Sequence, residues 1–267
     1  MTKPKVNNYP NIIQSFGITG FIILIMIMLS LIIPTLNKLV GSETSTLLFE
    51  ILAMGIPFLI VTRIIKKKAS RKSFKLVLKN KRIIPFIIAA GVALLLGVVS
   101  PITSLIPMPE SIKIEFIKAA SQTGIITFIY MVIAAPILEE LIFRGIILDG
   151  LLKKHSPIIS ILISSVLFGI VHLSPWSFVT GLIMGIFTGW VYYKSKSLLA
   201  TIIIHASANI TGYLSRFFID SSTIDQSFTE SLGGTTNLIL VITCSILIIS
   251  ICVYSLKKEF NKASQFE

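Results

Sequence analysis

Apolar residues in this chain come in long, nearly unbroken runs. They do not form the i, i+3, i+4 stripe of an amphipathic helix or the alternation of a half-buried strand. Such runs lie near 16–37, 46–65, 83–104, 121–143, 157–173, 178–193, 198–219 and 236–256. A helix needs roughly 20 apolar residues to cross a bilayer core about 30 Å thick. The fifth and sixth runs are short, and Ser174-Pro175-Trp176-Ser177 joins them tightly. No run repeats another, and no polar stretch is long enough to make a soluble domain. The predicted fold class is all-α: one polytopic membrane domain over 1–267, with about eight transmembrane helices enclosing a polar intramembrane site.

Composition sharpens this. The chain is 54% hydrophobic and 13% charged, with a mean hydropathy of +0.88, against about 25% charged for a soluble domain. A soluble domain, a disordered chain and a basic nucleic-acid-binding domain are excluded. The net charge of +12 belongs to the topology, because Lys and Arg gather in cytoplasmic loops. The loop from Arg63 to Arg82 is the densest basic stretch, with Lys66, Lys67, Lys68, Arg71, Lys72, Lys75, Lys79 and Lys81 between its ends. Placing it inside also puts Lys3, Lys5, Arg144, Lys153, Lys154, Lys194, Lys196, Lys257, Lys258 and Lys262 inside. Of 24 basic residues, only Lys38, Lys113, Lys118 and Arg216 remain outside. Segment 220–235 has Asp220, Asp225 and Glu230 but no cation, as an outer loop should. The expectation is a multi-pass cell-membrane protein with both termini cytoplasmic. Phe74, Leu76, Val77 and Leu78 give the basic loop a means of lying on anionic lipid. Cys244 and Cys252 share one apolar run, so no disulfide framework or Cys-based zinc site is expected. The first apolar run ends in no small-residue cleavage site and reads as a retained helix.

An ionisable group at membrane depth costs several kcal/mol, so each needs a partner or a task. Glu50 stands in the second run; Glu139, Glu140 and Arg144 lie in or near the fourth; His172 ends the fifth; His205 and Asn209 are in the seventh. Glu140 and Arg144, at i and i+4, share a helix face and can neutralise each other. Glu139 lies about 100° around the helix, free for chemistry. Phe168 and His172 share a face, as do His205 and Asn209. Ser207 is turned away from His205 and is a poor nucleophile partner. His155, beside Lys153 and Lys154, reads as a solvated loop residue. Taken singly, each histidine also fits a satisfied core residue, and the small residues around His205 also fit close helix packing.

Depth connects them. At about 1.5 Å per residue from the cytoplasmic turns, Glu139 lies about 18 Å deep, His172 about 22 Å, His205 about 10 Å and Asn209 about 16 Å. Polar groups on three helices thus reach similar levels. A carboxylate can activate water, a neutral histidine can orient that water or bind a metal, and an imidazole N–H with an Asn amide can hold an oxyanion. Together they suffice to hydrolyse an amide bond.

Glu139-Glu140-x-x-x-Arg144, Phe168-x-x-x-His172 and His205-x-x-x-Asn209 resemble the three motifs of the CPBP intramembrane proteases. That family, also called Abi, includes the type II CAAX prenyl endopeptidases. The motifs fall in a core of about 121–219. The resemblance implies that Glu139 and His172 activate the attacking water. It implies that His205 and Asn209 stabilise the oxyanion, with Glu140 and Arg144 supporting the site and Phe168 beside it. It leaves two cofactor readings open. In one, zinc sits on Glu139, His172 and His205; in the other there is no metal. The pairing of His205 with Asn209 favours the second, since zinc takes imidazole, thiolate and carboxylate ligands.

Other membrane classes fit less well. The chain has no His-Glu-x-x-His of metalloproteases, no Gly-x-Ser-Gly of rhomboids and no Gly-x-Gly-Asp of presenilin-like enzymes. It also lacks the paired, interrupted halves of a transporter. The Lys-, Asn- and Ile-rich composition suggests an A/T-rich bacterial genome, where a prenylated CAAX substrate is not expected. Bacterial members of the family are linked to peptide maturation, bacteriocin self-immunity and regulation of envelope proteins. The expected partners are the lipid bilayer and a membrane-associated peptide or protein substrate, with no nucleic acid. The alternative is a non-proteolytic scaffold or regulator of the same fold, acting through a membrane-protein partner.

Overall fold

The structure is a computed structural model that describes residues 9–68, 76–218 and 227–264. Lys3, Lys5, Arg71, Lys72, Phe74, Lys75, Asp220 and Asp225 lie outside the described residues. Every regular element among the described residues is helical. In chain order they are α1 (Ile12–Ser30), α2 (Ile33–Val40), α3 (Ser42–Lys68), α4 (Ile84–Leu94), α5 (Ser100–Ser104), α6 (Glu110–Ala120), α7 (Ile125–Phe128), α8 (Ala135–Glu140), α9 (Asp149–Leu151), α10 (Pro157–Ile170), α11 (Pro175–Ser195), α12 (Leu198–Ser215), α13 (Phe228–Ser231) and α14 (Thr235–Ser264). Single turns of 3₁₀ helix precede α4 and follow α12. Three π-helical stretches, Leu95–Val99, Ile129–Ala134 and Leu141–Leu148, continue the helices on either side of them. They weld α4 to α5, and α7 through α8 to α9, into two long rods.

Short polar residues start the helices where the sequence supplies them. Asn11 and Gln14 form a reciprocal capping box on α1, with both bonds at 2.9 Å. Ser156, Ser174 and Ser197 accept from backbone N–H groups of the first turns of α10, α11 and α12. Pro157 and Pro175 occupy first-turn positions, where a missing N–H costs nothing.

Six helices are long and apolar enough to cross a membrane: Ile12–Ser30, Ser42–Lys66, Lys81–Ser104, Ile125–Leu151, Leu198–Phe218 and Thr235–Lys262. This is a polytopic all-α membrane protein. The fifth and sixth apolar runs become α10 and α11, which are not among the six. With 14 residues, α10 extends only about 21 Å, short of the about 30 Å hydrocarbon core. The two pack along each other. A Cβ added at Gly181 would come 3.0 Å from the Gly169 Cα, and one at Gly185 would come 2.9 Å from the Ser165 Cβ. Only glycine lets these backbones approach so closely.

Contacts fix the two ends of the bundle. At one end Asn80 donates to Glu259 at 3.0 Å, Tyr192 donates to Asp149 at 3.1 Å and Lys153 pairs with Asp149 at 3.5 Å. Lys194 and Lys196 lie against the ring of Tyr193 at this end. At the opposite end Gln122 donates to Ser42 at 2.7 Å, the Gly124 N–H donates to Glu43 at 3.1 Å and Trp176 donates to the Ile106 carbonyl at 3.1 Å. The first end carries most of the described cations and is called the basic end below.

The apolar core has two main parts. In one, Ile87, Ala90 and Leu94 of α4 meet Val191 of α11, Ile204 of α12 and Leu256 of α14. In the other, Ile22 of α1 and Val61 of α3 meet Ile142, Phe143 and Ile146 of the second long rod and Phe168 of α10. The polar site lies between these masses.

Candidate active site

The rod from α7 to α9 carries both glutamates and the arginine. Glu140 is 0% and Arg144 1% exposed, and the guanidinium Nη1 lies 3.0 Å from Glu140 Oε1. The contact is ionic rather than a well-aligned hydrogen bond. Arg144 Nη2 also donates to Thr188 Oγ1 of α11 at 2.5 Å, and Cζ stands 4.4 Å above the Phe168 ring. A charge buried this deeply persists when paired and hydrogen-bonded, and a flat aromatic face adds a further favourable contact. The i, i+4 pairing expected from sequence is present. It lies in the core and ties the second long rod to α10 and α11.

His205 of α12 stands between the two carboxylates. Its Nδ1 is 3.2 Å from Glu140 Oε1 and its Nε2 is 3.8 Å from Glu139 Oε2. A carboxylate accepts, so Nδ1 is the donating nitrogen of this contact. Glu139 is buried, yet Oε2 has no hydrogen-bond partner. A buried, unsatisfied carboxylate oxygen is costly and marks a group held for something else.

His172 lies just past the end of α10, where its Nδ1 is 2.7 Å from the Phe168 carbonyl. A carbonyl only accepts, so Nδ1 carries the proton and Nε2 is left as the basic nitrogen. The ring meets Phe168 edge to face, with centroids 5.1 Å apart. Phe168 also meets Phe143 at 5.0 Å and, edge to face, His205 at 5.8 Å. One phenyl ring thus fixes Arg144, His172 and His205, which explains a large flat residue at i−4 from the histidine. Asn209 Nδ2 donates to the Met131 carbonyl at 2.7 Å. Met131 belongs to the π-helical stretch Ile129–Ala134, where the backbone ladder is re-registered. The amide keeps a second N–H.

Glu139, His172, His205, Asn209 and Phe168 all line one cavity of about 390 Å³, within the usual range for ligand pockets. All three helices that the motifs nominate converge there. Among the described residues no hydrogen bond or ion pair joins His172 to Glu139; the imidazole beside Glu139 is that of His205. Two further ionisable residues line the cavity, Glu50 of α3 and Tyr130 of the second long rod. Glu50 has a sequence signal, a single acid inside an apolar run, but nothing in the sequence assigns it to this site. Tyr130 has no signal at all. A second, more polar cavity of about 270 Å³ lies toward the end opposite the basic end, and Thr46 and Tyr130 line both.

Among the described residues no three His, Cys, Asp or Glu side chains stand together in a way that would hold a metal ion. Glu139 and His205 are neighbours, but His172 does not complete a set with them. The arrangement does not fit a zinc site on these three residues.

Residues 121–211 match the family model for type II CAAX prenyl endopeptidase Rce1-like proteins. All three motifs fall inside that stretch, so this part of the chain is similar to that family. The chain is 37% identical over 81 residues to the UPF0177 protein YxdF of Lactococcus lactis, covering 30% of this chain and 44% of that protein. It is 35% identical over 100 residues to a Bacillus subtilis protein named "Putative membrane peptidase YdiL", covering 38% of this chain and 41% of that one. The chain thus matches less than half the length of these relatives. No solved structure matches significantly.

Proposed function

We propose that this protein is an intramembrane endopeptidase. In this reading it hydrolyses a peptide bond of a membrane-associated peptide or protein with water activated by glutamate. One observation carries the proposal: Glu139 presents a buried carboxylate oxygen with no hydrogen-bond partner to the cavity, 3.8 Å from the His205 imidazole. Glu139 takes a proton from a water, whose oxygen bonds to the scissile carbonyl carbon. His172 Nε2, the free nitrogen of a ring fixed through Nδ1, accepts the other O–H of that water and orients it. The developing oxyanion is met by the second N–H of Asn209. His205 Nε2 also donates to it when the ring is protonated, since Nδ1 already faces Glu140. The carbon–nitrogen bond then breaks, and the proton held by Glu139 passes to the departing amine. Glu140 and Arg144 act by fixing His205.

No step in this scheme requires a metal, in keeping with a donor set that does not form three ligands around one point. The basic end faces the cytoplasm by the positive-inside rule, with both termini on that side.

The test is mass spectrometry of membrane fractions from cells with wild-type protein and with Glu139→Ala. Peptides present with the wild type and lost in the variant, at equal protein levels, support the protease. Identical peptide sets, with function retained, would instead favour a scaffold that keeps the fold without the chemistry.

A further inference from the structure

We infer that Glu50 is a substrate-recognition residue that receives a positive charge carried by the substrate, a step that rests on the endopeptidase reading. Glu50 is 8% exposed and lines the same cavity as Glu139. Its Oε1 has no hydrogen-bond partner. Among the described residues no cation forms an ion pair with it. No Lys or Arg lines the cavity with Glu50; Arg144 faces Glu140, and Arg216, which lines the second cavity with Lys118, donates to the Ala119 and Gln122 carbonyls at 2.6 and 3.1 Å.

A buried carboxylate at membrane depth needs a partner, and the described residues supply no ion pair for it. The catalytic scheme does not use Glu50 either. The missing partner is therefore brought in by what enters the cavity, as a Lys or Arg side chain or a free amino terminus. A site built around a buried charge discriminates strongly, because a ligand without the matching group leaves that charge unpaired.

The fold also says where the charge sits. Glu50 is about 12 Å along α3 from Ser42, and Glu139 about 21 Å along its rod from Ile125, both measured from the end opposite the basic end. The offset of about 9 Å corresponds to about three residues of extended chain. The substrate's cation accordingly lies within about three residues of the scissile bond, on the side away from the basic end. Thr46 and Tyr130, shared by the two cavities, line the route by which it arrives.

The experiment measures binding separately from cleavage. Full-length Glu139→Ala protein in detergent is titrated with three fluorescent apolar dodecapeptides. One is blocked at both ends with a central lysine, the second is its glutamine counterpart, and the third is that counterpart with a free amino terminus. We expect at least a tenfold preference for one charged peptide over the neutral one. The preference should be lost in Glu139→Ala/Glu50→Gln and kept in Glu139→Ala/Glu50→Asp. Which charged peptide is preferred separates a side chain from an amino terminus. Equal binding of all three peptides, or a preference that survives Glu50→Gln, would overturn the inference. A Glu50-dependent preference in a protein whose wild type cleaves none of the peptides would uphold the cation site and count against the endopeptidase.

Discussion

Replacing Arg144 by methionine tests whether the buried ion pair organises the site. The change keeps length and apolar bulk while removing the charge that faces Glu140 at 3.0 Å, the donor to Thr188 at 2.5 Å and the cation over Phe168 at 4.4 Å. Both partners are essentially unexposed, so water does not compensate. Removing one member of such a pair costs about 3–5 kcal/mol. The lost hydrogen bond costs about 1 kcal/mol and the lost cation–π contact about 1 kcal/mol, with the three terms overlapping. A penalty of about 4 kcal/mol lowers the melting temperature by on the order of 10 °C for a chain of this size. The assay is thermal unfolding of purified protein in detergent, followed by the monodisperse fraction remaining. Adding Glu140→Gln removes the stranded carboxylate, so the double variant should recover at least about 2 kcal/mol relative to additivity. A single variant that melts with the wild type, or a double variant no better than the sum of the singles, would refute the reasoning.

Three other outcomes follow from the same geometry. Glu139→Ala removes a carboxylate whose Oε2 has no partner, so it should abolish cleavage yet melt within about 1 kcal/mol of the wild type, by the same thermal assay. Cleavage should survive dialysis against a chelator, with zinc far below one per chain by elemental analysis; loss on chelation with recovery on added zinc would reverse the metal-free scheme. Gly91→Val should reduce both stability and turnover, because a Cβ there would come 2.6 Å from the Ile204 carbonyl of α12. Overpacking of this kind costs about 1–3 kcal/mol, and an ångström of drift in His205 costs about a hundredfold in rate.

The motif residues were legible because their relations run along single helices. The i, i+4 spacing of Glu140 with Arg144 and of Phe168 with His172 fixes a shared face wherever the helix ends up. Relations between helices were not legible in this way. Periodicity does not tell which imidazole stands beside Glu139, and the structure puts His205 there. Glu50 was visible as an acid in an apolar run, but its helix had no marker pointing it at α12 or the second long rod. The π-helical stretches were invisible, since Ile, Tyr, Met, Val and Ala serve either ladder equally well. The two short runs at 157–173 and 178–193 were legible as a tight pair from the Ser-Pro-Trp-Ser connection, whereas their status as spans was not.

The wide turns on either side of Ala135–Glu140 set an angular phase. Each residue advances an α-helix by about 100°, and a π-helical turn takes up one residue more than an α turn without lengthening the rod in proportion. The carboxylates are thus aimed by how many residues wind between Tyr130 and Glu139, as a key's teeth are set by its shank. Losing one residue from Ile129–Ala134 would return that stretch to ordinary winding with the acid pair still aimed nearly as before, whereas a second loss, with no wide turn left to absorb it, would rotate the pair by about 100°. Glu139 and Glu140 would then turn away from His205 of α12, while the i, i+4 pair of Glu140 with Arg144 turned with the rod. Substitutions along this stretch are open to drift provided they are apolar, and its length can change by the one residue that the wide turn absorbs, but no further.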